Sequence, residues 1–205
     1  MLMASRRFLL LLALLPAAVG AQPTAHTGWY AGGSIGYGRV YFNDSSLRFA
    51  GPTNVSKDEN DAVYRLFAGY RAHRNFALEV GWVDLGEYSL TRSGAAGSAT
   101  GVFSSRGWFV NALAIWPFER FSLFAKAGGV RSSSEQRIST TGAVTFVGDP
   151  NPKGTAFGYN LGAGASYALT ERWSARLDYD VYKVGTASTN NFHVYVLSLG
   201  LGYRF

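Results

Sequence analysis

From about residue 28 onward, apolar and polar positions alternate every second residue in repeated runs, with clusters of Gly, Ser, Asn and Pro between them. The cleanest run is Trp173 to Tyr182. One face reads Trp173, Ala175, Leu177, Tyr179, Val181, and the other Ser174, Arg176, Asp178, Asp180, Tyr182. A helix would mix these sets, whereas a strand separates them because successive side chains point to opposite faces. The pattern predicts eight strands, at about 28–41, 62–71, 76–86, 106–117, 121–131, 156–169, 172–183 and 193–205. The connectors alternate in length. Arg71–Asn75, Pro117–Arg120 and Leu169–Arg172 are short, and Phe42–Asp61, Glu87–Ser105, Ser132–Thr155 and Val184–Phe192 are longer. Tight turns on one side and long loops on the other make the rhythm of an up-and-down membrane barrel. The predicted fold is all-β, an eight-stranded antiparallel up-and-down transmembrane β-barrel. An even strand count places both chain ends on the side of the short turns.

A soluble lipocalin-like barrel would alternate too, with its apolar face inward. Two features favour the inverted arrangement. The less apolar face is rich in glycine, at Gly32, Gly36, Gly38, Gly81, Gly128, Gly158, Gly162, Gly164, Gly200 and Gly202. Small residues suit a narrow interior that also holds long side chains, whereas on a soluble exterior they would only weaken the strands. The apolar face carries aromatics at both strand ends. Trp29, Tyr70, Phe76, Trp116, Phe121, Tyr167, Trp173 and Tyr203 fall near the short turns or chain ends, and Tyr37, Tyr64, Trp82, Trp108, Tyr159, Tyr179 and Tyr195 near the long loops. From Trp29 to Tyr37 the rise is roughly 20 Å at a tilt near 40°, close to the apolar band of an outer membrane. By the same alternation Phe67, Phe109, Leu113, Ile115 and Phe124 point inward. That predicts a filled lumen, since eight strands leave room only for side chains. The inward charges balance, with Arg65, Lys126 and Arg176 against Glu79, Asp178 and Asp180. Charges removed from water must be paired, so these six are expected to form a lumen charge network.

Composition narrows the class. Arg6 and Arg7, the apolar run Phe8–Leu15, Pro16 and the small-x-small Val19-Gly20-Ala21 form a secretory signal. The run is too short to cross a membrane as a helix. Ser5-Arg6-Arg7-Phe8 has some twin-arginine character, but a barrel must travel unfolded, so the general secretory route is expected. Residues 1–21 are therefore read as the signal peptide and 22–205 as the barrel domain. The balance of 19 basic to 13 acidic residues is too mild to argue for nucleic acid as a partner. Without cysteine there are no disulfides or thiolate metal sites, and neither a cofactor nor a metal is expected.

Five stretches, in this order and spacing, resemble the OmpA-like transmembrane β-barrel family, including its small surface-antigen members that consist of the barrel alone. They are Gly28-Trp-Tyr-Ala-Gly-Gly-Ser-Ile-Gly-Tyr37, Phe67-Ala-Gly-Tyr-Arg71, Phe76-Ala-Leu-Glu-Val-Gly-Trp-Val-Asp-Leu-Gly86, Arg176-Leu-Asp-Tyr179 and Leu199-Gly-Leu-Gly-Tyr-Arg-Phe205. The resemblance implies an outer-membrane location, no catalysis, and structural, adhesive or envelope-interaction roles. It implies that Glu79, Lys126 and Arg176 belong to a central charge network. Two positions depart from the family, with Leu113 in place of an inward lysine and Ser166 in place of an inward glutamate. No peptidoglycan-binding domain is expected after the last strand. The resemblance also implies that the closing strand, with Leu201, Tyr203 and Phe205, is an assembly signal read by the outer-membrane assembly machinery. An exposed strand edge with an apolar row suits such strand addition. The other expected partners are outer-membrane lipid and lipopolysaccharide, and an unknown ligand of the outer loops.

An enzymatic alternative is a lipid-A-modifying hydrolase built on His193, with Ser188 and Thr189 nearby. It needs a base within hydrogen-bond reach of the nucleophile and an orienting acid. The adjoining loop holds no acid, and Asp180 lies below it in the preceding strand. His26 sits near the start of the mature chain and His73 in a short turn. Asp178 and Asp180 lie at different depths with Arg176 beneath, which favours a structural role over acid proteolysis. No catalytic residue is therefore assigned.

Overall fold

The computed structural model describes residues 27–40, 54–95, 97–143, 151, 153–184 and 192–205. The expected signal segment, residues 1–21, lies outside the described residues, as do Ser188 and Thr189. The described chain is strand joined by turns: β1 (Gly28–Val40), β2 (Asn54–Asp58), β3 (Asn60–His73), β4 (Phe76–Gly94), β5 (Gly97–Phe118), β6 (Phe121–Gly142), β7 (Lys153–Ala168), β8 (Trp173–Val184) and β9 (Phe192–Arg204). Every pairing is antiparallel. The ladder runs β1–β3–β4–β5–β6–β7–β8–β9 and returns to β1, so eight strands close a ring. The short β2 continues the line of β3 and pairs with the outer part of β4. Closure brings the two ends of the chain together, with Tyr30 opposite Arg204 and the Phe205 amide donating to the Trp29 carbonyl at 3.2 Å.

The wall is apolar outside. Trp108 is 68% exposed and Leu199 65%, and Leu66, Leu78, Val110, Leu161, Leu177 and Leu201 are exposed with them. A water-facing surface rarely carries apolar area this continuous, but hydrocarbon requires it. Closing the ring satisfies every backbone ladder, and in lipid that leaves only helices and closed barrels as spanning structures. No helix among the described residues is long and apolar enough to cross a membrane.

Inside, glycine makes room for rings. A Cβ at Gly81 would meet the Phe109 ring at 2.5 Å, and one at Gly32 the Phe67 ring at 2.6 Å. The lumen is layered. Ala77, Leu113, Ile115 and Phe124 cluster toward the short turns. A charged layer follows. Beyond it Val40, Val83, Leu85, Tyr88, Phe103, Val184 and Val194 pack together and fill the outer half.

Three expectations about loop length are corrected. The stretches 87–105 and 132–155, expected as loops, are largely strand, since β4 and β5 pair up to Gly94 opposite Gly97 and β5 and β6 up to Gly97 opposite Gly142. Their Ser, Thr and Gly content resembles loop composition, but cross-strand ladders are backbone interactions and tolerate it. Thr91 and Thr100 share a hydroxyl hydrogen bond of 3.0 Å, and Ser105 accepts one of 3.0 Å from Ser134. Similarly, β2 and the start of β3 occupy the end of the expected loop 42–61.

A bulge marks where the membrane wall becomes the outer sheet. The β4–β5 register shifts between Asp84 and Glu87, and Gly86 has φ +83°. This left-handed conformation suits glycine because it has no Cβ. The Gly86 amide donates to Asp84 Oδ1 at 3.1 Å and the Glu87 amide to Asp61 Oδ2 at 2.6 Å. One extra residue reverses the parity of the strand. Below it Ala77, Glu79, Gly81, Val83 and Leu85 face in, and above it Tyr88 and Leu90 are the buried positions while Glu87 is exposed.

Candidate functional site

The six charged residues singled out from the sequence come from β3, β4, β6 and β8 and meet at one level of the lumen. Arg65 holds Asp178 at 3.0 Å and Asp180 at 2.9 Å. Lys126 reaches the same two carboxylates, at 2.6 and 2.9 Å. Arg176 forks onto Glu79 through both terminal nitrogens, and its Nε donates to Asp178 at 3.1 Å. All six are buried. Each charge thus faces opposite charge, which low-dielectric burial demands. Register explains the convergence. Ser166 opposes Arg176, Gly164 opposes Asp178 and Gly162 opposes Asp180 on β7, so small residues flank each charge. At Gly162 a Cβ would collide with Asp180 and with the Lys126 stem.

Sequence reasoning missed several members. Tyr30 donates to Glu79 at 3.0 Å and Asn160 to Asp180 at 3.3 Å. Alternation alone marks Tyr30 as inward once Trp29 is outward, and the same holds for Asn160 after Tyr159. The stacking of the Arg176 guanidinium between Phe67 and Phe124, at 4.7 and 4.4 Å from the ring centres, has no sequence signal because it joins three strands. The two departures from the family have clear places. Leu113 joins the apolar layer, and Ser166 lines the mouth of the lumen.

The closing strand presents Leu201 and Phe205 outward, 51% and 79% exposed, with Tyr203 half-buried between them. Tyr203 stacks edge-on with Trp173 at 5.0 Å and with Phe205 at 5.3 Å, and its hydroxyl accepts from Arg172 at 3.1 Å.

His193 lies on the outer side of the wall and is exposed. Its Nε2 is 3.2 Å from the Tyr159 hydroxyl. Asp180, the acid nearest to it in the sequence, faces the lumen from the other side of the wall and is engaged by Arg65 and Lys126. It cannot orient the imidazole. Among the described residues no group of His, Cys, Asp and Glu is placed to hold a metal ion.

Comparison with known proteins agrees with this architecture. The model of the outer membrane protein beta-barrel domain matches residues 8–205. Outer membrane protein A of Serratia marcescens is 30% identical over 200 residues, covering 90% of this chain and 51% of that protein. Outer membrane protein A of Yersinia pseudotuberculosis serotype I (strain IP32953) is 27% identical over 193 residues, covering 90% and 50%. The chain spans about half the length of the curated relatives it matches. Two solved structures share the fold. Neisserial surface protein A (NspA) superposes with a TM-score of 0.56 at 17% identity, covering 87% of this chain and 97% of that one. The N-terminal β-barrel domain of Pseudomonas aeruginosa OprF gives 0.54 at 13% identity, covering 88% and 100%. With an apolar exterior, a closed ladder and a matching family model, the chain belongs to the OmpA-like family of β-barrel proteins of the cell outer membrane.

Proposed function

We propose that this is a non-catalytic outer-membrane protein whose filled barrel anchors a recognition surface outside the cell. One observation carries the reading. The lumen is closed by a paired charge layer and an apolar outer layer, while β4, β5 and β6 continue past the wall as a sheet. A closed lumen favours anchoring over transport, and the rigid sheet offers polar side chains and backbone edges for binding. The pairing of His193 with Tyr159 supports the reading without catalysis. The outward apolar rows would contact outer-membrane lipid, with lipopolysaccharide around the outer rim. The exposed Leu201 and Phe205 are proposed as what the assembly machinery reads in the closing strand.

The test is to replace Thr91–Thr100 by an Asn-Gly turn, which joins β4 to β5 below the tip. The variant should keep its outer-membrane fractionation and its heat-modifiable gel mobility. Adherence of expressing cells to cultured epithelial monolayers should fall to that of cells lacking the protein. Unchanged adherence would remove recognition from this sheet, and altered lipid A in overproducing cells would restore the hydrolase. For the closing strand, deletion of Phe205 should leave refolding into detergent intact and sharply lower assembly in cells. Equal loss in both settings would reduce Phe205 to a packing residue.

A further inference from the structure

The centre of the lumen is charge-balanced, but its mouth beside the short turns is not. A cavity of about 130 Å³ opens there. Arg71 from the end of β3, Arg120 from the β5–β6 turn, Arg172 from the β7–β8 turn and Arg204 from the end of β9 all line it. Among the described residues Glu119 is the one carboxylate on its lining. Arg71 and Arg204 continue the inward parity of Phe67 and Gly202, so these two guanidinium groups turn toward the barrel axis, whereas Arg172 is exposed at the rim and donates to the Tyr203 hydroxyl. Among the described residues, none of Arg71, Arg172 and Arg204 is paired with a carboxylate. Arg71 gives one terminal nitrogen to the Arg74 carbonyl, and its Nε is buried without a partner. Arg71 and Arg204 flank the start of β1 from either side, opposite Gly28 and Tyr30.

Arg71 and Arg204 are each partly removed from water at one recess, where like charges are poorly screened from one another. Guanidinium forks match carboxylate and phosphate oxygens. An excess of several positive charges over one carboxylate favours a dianion over a monocarboxylate. Deeper in, the walls are Leu113, Ile115 and Phe124, which suit a small apolar substituent. In a barrel of this kind the short turns face the periplasm. We propose that the periplasmic mouth of the lumen binds a small soluble phosphate-bearing anion, held by Arg71 and Arg204 with Arg120 and Arg172 at its rim. This site is independent of the outer sheet and of the proposed function above.

The experiment titrates inorganic phosphate and glycerol 3-phosphate into the whole protein refolded in neutral maltoside micelles, at constant ionic strength, and follows 31P line width. Wild type should broaden both resonances saturably. The double variant Arg71→Gln/Arg204→Gln should weaken binding at least tenfold, whereas Arg137→Gln, far out on β6, should leave it unchanged. Arg71→Lys keeps the charge and loses the fork, so it should weaken binding several-fold. It also serves as the test if the double variant lacks the heat-modifiable mobility of a folded barrel. Absence of saturable broadening in wild type would overturn the proposal. So would equal titrations for wild type and the Arg71 variants, or displacement by chloride as effective as by pyrophosphate. A response confined to phosphatidylglycerol nanodiscs, without one to soluble phosphates, would overturn the soluble ligand and assign the mouth to a lipid headgroup.

Discussion

Strand β4 runs through two environments separated by Gly86. Below it, from Phe76 to Leu85, inward residues meet a lumen whose space is allotted ring by ring and charge by charge. Above it, from Glu87 to Gly94, the strand is held by β2 on one side and β5 on the other, with Tyr88 and Leu90 as its buried side chains. The lower half depends on side chains and the upper half largely on backbone. One residue in the wrong place below Gly86 leaves an unpaired charge or a clash, while above it the cross-strand ladder absorbs substitution. Strict alternation belongs to the lower half and variable polar composition to the upper.

That difference can be tested by comparing losses. The largest effect is expected for Arg176→Ala, which leaves Glu79 and Asp178 without their shared partner. Breaking a buried pair from one side typically costs about 3–5 kcal/mol, read as a lower urea midpoint for unfolding in detergent. A midpoint equal to wild type would sink the paired-lumen account. Next comes Gly86→Ala, which forces a Cβ into a left-handed conformation and toward Asp61. The expected cost is about 1–2 kcal/mol. Solvent protection of Tyr88 should fall with it, because straightening the bulge turns that ring outward. Unchanged protection would mean that the parity reversal does not depend on glycine.

Smaller still is Thr91→Ala, which removes the cross-strand hydroxyl pair with Thr100 and should cost about 0.2–1 kcal/mol. A loss near that of Arg176→Ala would show that the outer sheet is as dependent on side chains as the lumen. The smallest effect is expected for Arg137→Ala, since its ion pair with Glu135 is exposed and screened by solvent. Glu135, in the outer sheet, has its pKa lowered by hydrogen bonds from Lys153 and then Arg137. Its contribution is present above the ordinary carboxylate range and is lost as pH falls through the lowered pKa. Amide exchange near Glu135 should therefore rise in acid, less so in Arg137→Ala. Exchange that ignores pH would leave the pair without structural weight.

The same division explains what was legible. Trp29, Trp108, Leu177 and Leu199 announced an outward apolar face because a strand in lipid has period two and no exceptions. The inward Arg65, Glu79, Lys126, Arg176, Asp178 and Asp180 were identifiable by parity alone. Their partners were not, since which carboxylate meets which cation depends on shear between strands distant in sequence. The outer sheet reads as loops at 87–105 and 132–155, because Ser, Thr and Gly carry little periodic signal and ladder hydrogen bonds involve only backbone.

By itself, the sequence determined the strand period, the lipid-facing rows, the short turns and the set of charges that must lie inside, since each follows from local chemistry repeated along one strand. Only the tertiary structure decided where Gly86 reverses parity, how Phe67 and Phe124 enclose Arg176, and how Arg71, Arg120, Arg172 and Arg204 come to share one mouth. Those are properties of ring closure. Closing eight strands brings β1 against β9 and sets residues far apart in the chain at the same height, and no local pattern encodes that height.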